Sequence, residues 1–138
     1  MSPFQSINAY ENFIYTLKEN YPSIQSSTLL VLHRGKCTAV VQGELIFKEG
    51  YRIVIKERLS FDTGLVTIES YGYEFWKNNE KIAWYDSQPH PFDLELKDTD
   101  PHHKHIPPNI RQHRVPASNM HFDRPNLPSL IQEIESIS

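Results

Sequence analysis

The nine residues Tyr51-Arg52-Ile53-Val54-Ile55-Lys56-Glu57-Arg58-Leu59 do most to limit what this chain can fold into. Successive side chains of a strand point to opposite faces, so Tyr51, Ile53, Ile55 and Leu59 share one side while Arg52, Val54, Lys56 and Arg58 share the other. A segment with one apolar and one basic face is a half-buried strand, with a core beneath it and a cationic surface above. Its neighbours continue the pattern. Leu29-Leu30-Val31-Leu32 is a short apolar run, and Thr38 to Phe47 follows, with Gly43 as a bulge or bend. Glu49-Gly50 and Asp62-Thr63-Gly64 are turn signals, Leu65 to Trp76 is a long strand, and Asn78-Asn79-Glu80 is a hairpin loop before Lys81 to Asp86. Connections this short imply antiparallel pairing. The expectation is a meander of four to five strands.

Helices are predicted at both ends. Asn8 with Glu11 resembles a capping box, and Tyr10, Phe13, Ile14, Leu17 and Tyr21 recur at helical spacing until Pro22. Near the other end Asn126 is the expected N-cap, and Leu127, Leu130, Ile131, Ile134 and Ile137 form one apolar face. Between the sheet and the last helix the composition changes. Eight of the ten prolines lie between Pro89 and Pro128, and glycine is absent beyond Gly72. This reads as an irregular, proline-stiffened crossing over the sheet. The fold class is therefore α+β, a single domain over residues 1–138. Two helices on one face of the sheet leave the other face for function.

Net charge is −3 with histidine neutral, which excludes a globally basic nucleic-acid binder but not a local basic patch. A lone cysteine, Cys37, excludes an internal disulfide and a cysteine zinc site and fits a reducing, cytoplasmic setting. No signal peptide and no membrane-spanning stretch is read from the sequence, so no membrane partner is expected.

The densest chemistry is in Pro101-His102-His103-Lys104-His105-Ile106-Pro107-Pro108. Prolines on both sides favour an extended loop over a helix. Imidazole gains and loses a proton near neutrality, so such a loop suits acid–base work. Cleavage of RNA through its own 2′-hydroxyl needs a base, an acid and cations near the phosphate. His102, His103 or His105 can exchange the protons, Lys104 can stabilise transition-state charge, and Asp86 can orient an imidazole. No cofactor is needed for this. A divalent metal is the alternative, held by His90, His103 and His105 or with Asp86. The plain reading is that these histidines are hydrogen-bonded tethers. On the basic strand face, Arg52, Lys56 and Arg58 can follow a polyanion, or be a solvated surface. Tyr71, Tyr73, Phe75, Trp76, Trp84 and Tyr85 are dense enough to stack bases, Tyr73 being the candidate taken forward, although strands also place such residues in cores.

A strand ending in Trp84-Tyr85-Asp86, the short Pro89-His90-Pro91, then Pro101-His102-His103-Lys104-His105 and a terminal amphipathic helix resemble the TumE-like toxin family of bacterial toxin–antitoxin systems. The resemblance covers most of the chain, including the Tyr71-Gly72-Tyr73 strand. The family's fuller Pro-His-His segment after the aspartate is here only Pro89-His90-Pro91. The acidic insert Asp93 to Asp100 and the stretch Asn109 to His121 are further departures. The resemblance implies a toxin grouped with endoribonucleases, a hydrolase acting on RNA, free or on the ribosome, and neutralised by a helix-turn-helix antitoxin. The competing class is a non-catalytic module that binds RNA or protein.

Overall fold

The computed structural model describes residues 2–87, 102–106, 114–116 and 119–138, with the backbone alone for His103 and residues 114–116. The element order begins with helix α1 (Ile7–Tyr15) and the short α2 (Leu17–Asn20). The strands are β1 (Ser26–Ser27), β2 (Leu30–His33), β3 (Thr38–Ile46), β4 (Tyr51–Ser60), β5 (Thr67–Lys77), β6 (Glu80–Asp86), β7 (His103–His105) and β8 (Arg114–Pro116), and helix α3 (Leu127–Ile137) closes the chain. The α+β class holds, with eight described strands in one sheet where four to five were expected.

The extra strands have separate origins. β1 and β2 are two pieces of one edge, both antiparallel to β3 and broken at Thr28-Leu29. Gly43 sits opposite the break with φ +142°, and a Cβ there would lie 2.6 Å from the Thr28 carbonyl oxygen. Only glycine combines that backbone with that approach. β7 and β8 come from the segment read as irregular. Three residues of the histidine loop pair with the free edge of β6, Trp84 with His105 and Asp86 with His103, and β8 pairs with β7 in turn. The flanking prolines keep this strand short, and Pro116, which has no N–H to offer, occurs in the last strand of the order.

Both main helices cover one face. Tyr10, Ile14 and Leu17 from the first helices and Leu127, Leu130, Ile131 and Ile134 from α3 join Ile53, Ile55, Leu59, Tyr73 and Phe75 in a single core. The alternation read for β4 is observed, with Ile53, Ile55 and Leu59 buried. The caps differ from expectation. Ser6 caps α1, its hydroxyl accepting from the Ala9 amide at 3.0 Å. Asn126 precedes α3 without capping it through its side chain. Instead its Nδ2 donates to the His121 carbonyl and to the Tyr73 hydroxyl, and its Oδ1 accepts from the His121 amide at 2.8 Å.

Candidate nucleic-acid groove and the histidine strand

The face away from the helices is hollowed into a groove of about 1070 Å³. Its architecture follows from register. Gln42 on β3, Lys56 on β4, Gly72 on β5 and Asp86 on β6 lie in one cross-strand row, with His103 the next register position on β7. The adjoining row is Val40, Arg58 and Ser70. Arg34, beyond the end of β2, adds a third cation to the lining, while Glu69 and Asp86 are the carboxylates. Among the described residues, Arg34, Lys56 and Arg58 form no ion pair. The three cations outnumber the two carboxylates of the lining, and a concave surface focuses such an excess where a polyanion would lie.

At the β6 wall the Asp86 carboxylate meets an imidazole. Asp86 Oδ2 lies 2.8 Å from His105 Nε2. His105 is fully buried and stacks on Trp84 with ring centroids 4.3 Å apart. The Asp86 side chain is 14% exposed, so this partner of the pair is the one that borders the groove. A carboxylate on one ring nitrogen fixes the tautomer and orientation of the imidazole.

The other members of the histidine segment go elsewhere. His102 stacks parallel to Tyr71, its Nδ1 lies 2.7 Å from the Tyr71 hydroxyl, and its ring also meets Phe122. Lys104 Nζ donates to Glu133 on α3 at 2.7 Å and sits over the Tyr85 ring. Tyr85 donates to the same carboxylate. Lys104 thus ties the strand to the helix layer, with its ammonium on Glu133. Burial, with the Asp86 charge next, pushes the Tyr71 phenol up; burial, with Glu133 next, does the same to Tyr85. Both hydroxyls stay protonated as donors. Of the metal alternative, His90 lies outside the described residues, as do the acidic insert and residues 109–113; the side chain of His103 is likewise not described.

The residues expected to hold RNA divide. Lys56 and Arg58 line the groove. Arg52 does not: it pairs with Glu44 at 3.0 Å and lies over Trp76, in a charge-balanced ladder continued by Glu74 and Lys81. Tyr73 is corrected outright. It is fully buried on the core face, where alternation along β5 places it with Tyr71 and Phe75. Its hydroxyl donates to Glu57 at 2.5 Å, as does that of Tyr10. Glu57 was missed in the sequence although it shares parity with Ile53, Ile55 and Leu59. It is entirely buried, and burial raises its pKa although both tyrosine hydrogen bonds oppose the rise. Arg34, in the turn after β2, carried no periodic signal.

Among the described residues no helix is long and apolar enough to cross a membrane. No curated protein and no solved structure matches the chain significantly. The family model described as "Toxin TumE" matches residues 14–138, which takes in the sheet, the histidine strand and the closing helix. The chain belongs to the TumE toxin family and is the toxin half of a pair whose other member is an antitoxin.

Proposed function

We propose that this toxin is an endoribonuclease that seats RNA in the open-face groove and cleaves it by metal-independent acid–base chemistry. The observation that carries the reading is the meeting on one concave surface of three cations, Arg34, Lys56 and Arg58, without an ion pair among the described residues, and the Asp86 carboxylate, which His105 holds from behind. In this account the cations hold the phosphate and offset the charge of the transition state. A base removes the proton of the 2′-hydroxyl as its oxygen bonds to phosphorus. An acid protonates the 5′-oxygen as its bond to phosphorus breaks. Asp86 borders the groove and is the first candidate for contact with the 2′-hydroxyl. His105 is a positioning residue that sets the orientation of Asp86. His103, paired in register with Asp86, is the candidate for the second proton transfer. His102 and Lys104 hold β7 against Tyr71 and Glu133.

The antitoxin is expected to be a helix-turn-helix protein, and the site of action the cytoplasm, on free or ribosome-bound RNA. A second reading has its own support: His105 is fully buried, and His102 and Lys104 are engaged with core-face partners, as tethers would be. On that reading the toxin binds RNA or protein without cutting it. Induction of wild type beside Asp86→Asn, His103→Ala and His105→Gln, with growth and total RNA followed, separates them. The catalytic reading predicts arrest and RNA fragments from wild type, loss of both in Asp86→Asn, and a displaced pH–rate profile in His105→Gln. Arrest by all four proteins with intact RNA establishes the binding reading. Activity silenced by a chelator establishes a metal-dependent nuclease.

A further inference from the structure

One position of the groove's lining, Gly72, has no side chain. Gly72 stands in the row between Lys56 on β4 and Asp86 on β6, and a Cβ built on it meets nothing within 4 Å among the described residues. Glycine in a strand interior costs stability, and any β-branched residue would fit this backbone better. Among the described residues, no positive φ and no close backbone approach requires glycine here, unlike at Gly43. Nothing in the described fold therefore calls for glycine at this position. The groove is also polarised about it. Lys56 and Arg58 lie on the β4 side with Arg34 beyond them, while Asp86 lies on the β6 side with His105 behind it. Two strand spacings, roughly 10 Å, separate the walls.

We infer that Gly72 is the floor of a one-nucleotide seat for single-stranded RNA, in which the phosphate lies toward Lys56 and Arg58 and the ribose crosses the bare backbone to present its 2′-hydroxyl to Asp86. This rests on the ribonuclease reading and adds to it a substrate class, a polarity of binding and a specificity-determining residue. A cationic wall fits the phosphate, and an ionised carboxylate accepts hydrogen bonds only, so its complement is a hydroxyl or amino donor. A single strand can lay one sugar across such a floor, whereas paired bases in a duplex hold the strand off it.

The test is a graded series, Gly72→Ala, Gly72→Ser, Gly72→Thr and Gly72→Val, read by thermal unfolding, by affinity for a short mixed-sequence oligoribonucleotide and by its cleavage. Unfolding temperatures are expected to hold or rise along the series. Cleavage is expected to fall with side-chain volume, by about 100-fold for threonine, the loss typical of a substrate displaced by an ångström or so. The same oligonucleotide annealed to its complement is expected to escape cleavage by wild type. Wild-type cleavage retained in stable Gly72→Thr and Gly72→Val, while Lys56→Ala loses it, overturns the seat and leaves the ribonuclease standing. Equal cleavage of the duplex overturns the single-strand assignment. A wild type that neither binds nor cuts the oligonucleotide removes the ribonuclease reading, and the seat with it.

Discussion

Glu57→Gln gives the sharpest test of the core, because it changes a buried charge and little else. Glu57 lies on the core face of β4, 0% exposed, and accepts hydrogen bonds from Tyr10 and Tyr73, each at 2.5 Å. Burial lifts its folded pKa above the ordinary value of 4.5. The sign follows directly. Between the unfolded and folded values, the unfolded chain has released a proton that the folded protein keeps. The contribution to stability is therefore full below the unfolded value and is lost as pH rises through the folded one. One proton sets the steepest slope at about 1.4 kcal/mol per pH unit. Glutamine keeps the shape, keeps an acceptor for Tyr73 and removes the titration. At acid pH the variant should be less stable than wild type by about 1 kcal/mol, the worth of an altered neutral hydrogen bond. As pH rises past the ordinary carboxylate range it should gain on wild type along that slope, then level off. Urea unfolding of both proteins across a pH series reads the difference, in which carboxylates common to both cancel. A difference independent of pH, or one that shifts further in favour of wild type as pH rises, would refute the burial argument. Tyr10→Phe removes a donor that lowers the Glu57 pKa, so it should extend the wild-type decline to higher pH at a cost of about 1.5–3 kcal/mol.

Other expectations follow from single contacts. Gly43→Ala should destabilise by about 3 kcal/mol or more in chemical unfolding, since it adds strain at φ +142° to a 2.6 Å approach to the Thr28 carbonyl. Asn126→Ala should cost about 2–4 kcal/mol, because it strips three hydrogen bonds that join the Tyr73 hydroxyl to the His121 backbone. Lys104→Met should cost under about 1 kcal/mol, the pair with Glu133 being about a quarter exposed; hydrogen exchange should rise in β7 before β4.

The parts of the fold that the sequence made legible are those written in periodicity. The alternation of Tyr51 to Leu59 gave the basic open face, and helical spacing gave the faces of α1 and α3. What was hidden depends on partners distant in sequence. Nothing local says that His103 to His105 would find a strand edge on β6, or that Asn126 would spend its amide on Tyr73 and leave the helix uncapped. The placement of the candidate site residues turns on the same parity. Lys56 and Arg58 were placed by parity, yet parity does not show that Arg52 is neutralised by Glu44 across to β3. Tyr73 was read by residue type against its own parity with Tyr71 and Phe75, and it went to the core. Glu57 was visible by the same parity, as a carboxylate in an apolar series. Gly72 carried no signal until the rows on either side of it were known.

The central claim is that the open face cuts RNA through the RNA's own 2′-hydroxyl. The direct measurement incubates untagged protein, in the presence of a chelator, with a short single-stranded oligoribonucleotide and with its fully 2′-deoxy counterpart. The account predicts that the first is cleaved to products ending in a 2′,3′-cyclic phosphate and that the second is bound but left whole. Cleavage of both strands, cleavage that the chelator abolishes, or growth arrest by a protein that leaves the oligoribonucleotide intact would contradict it.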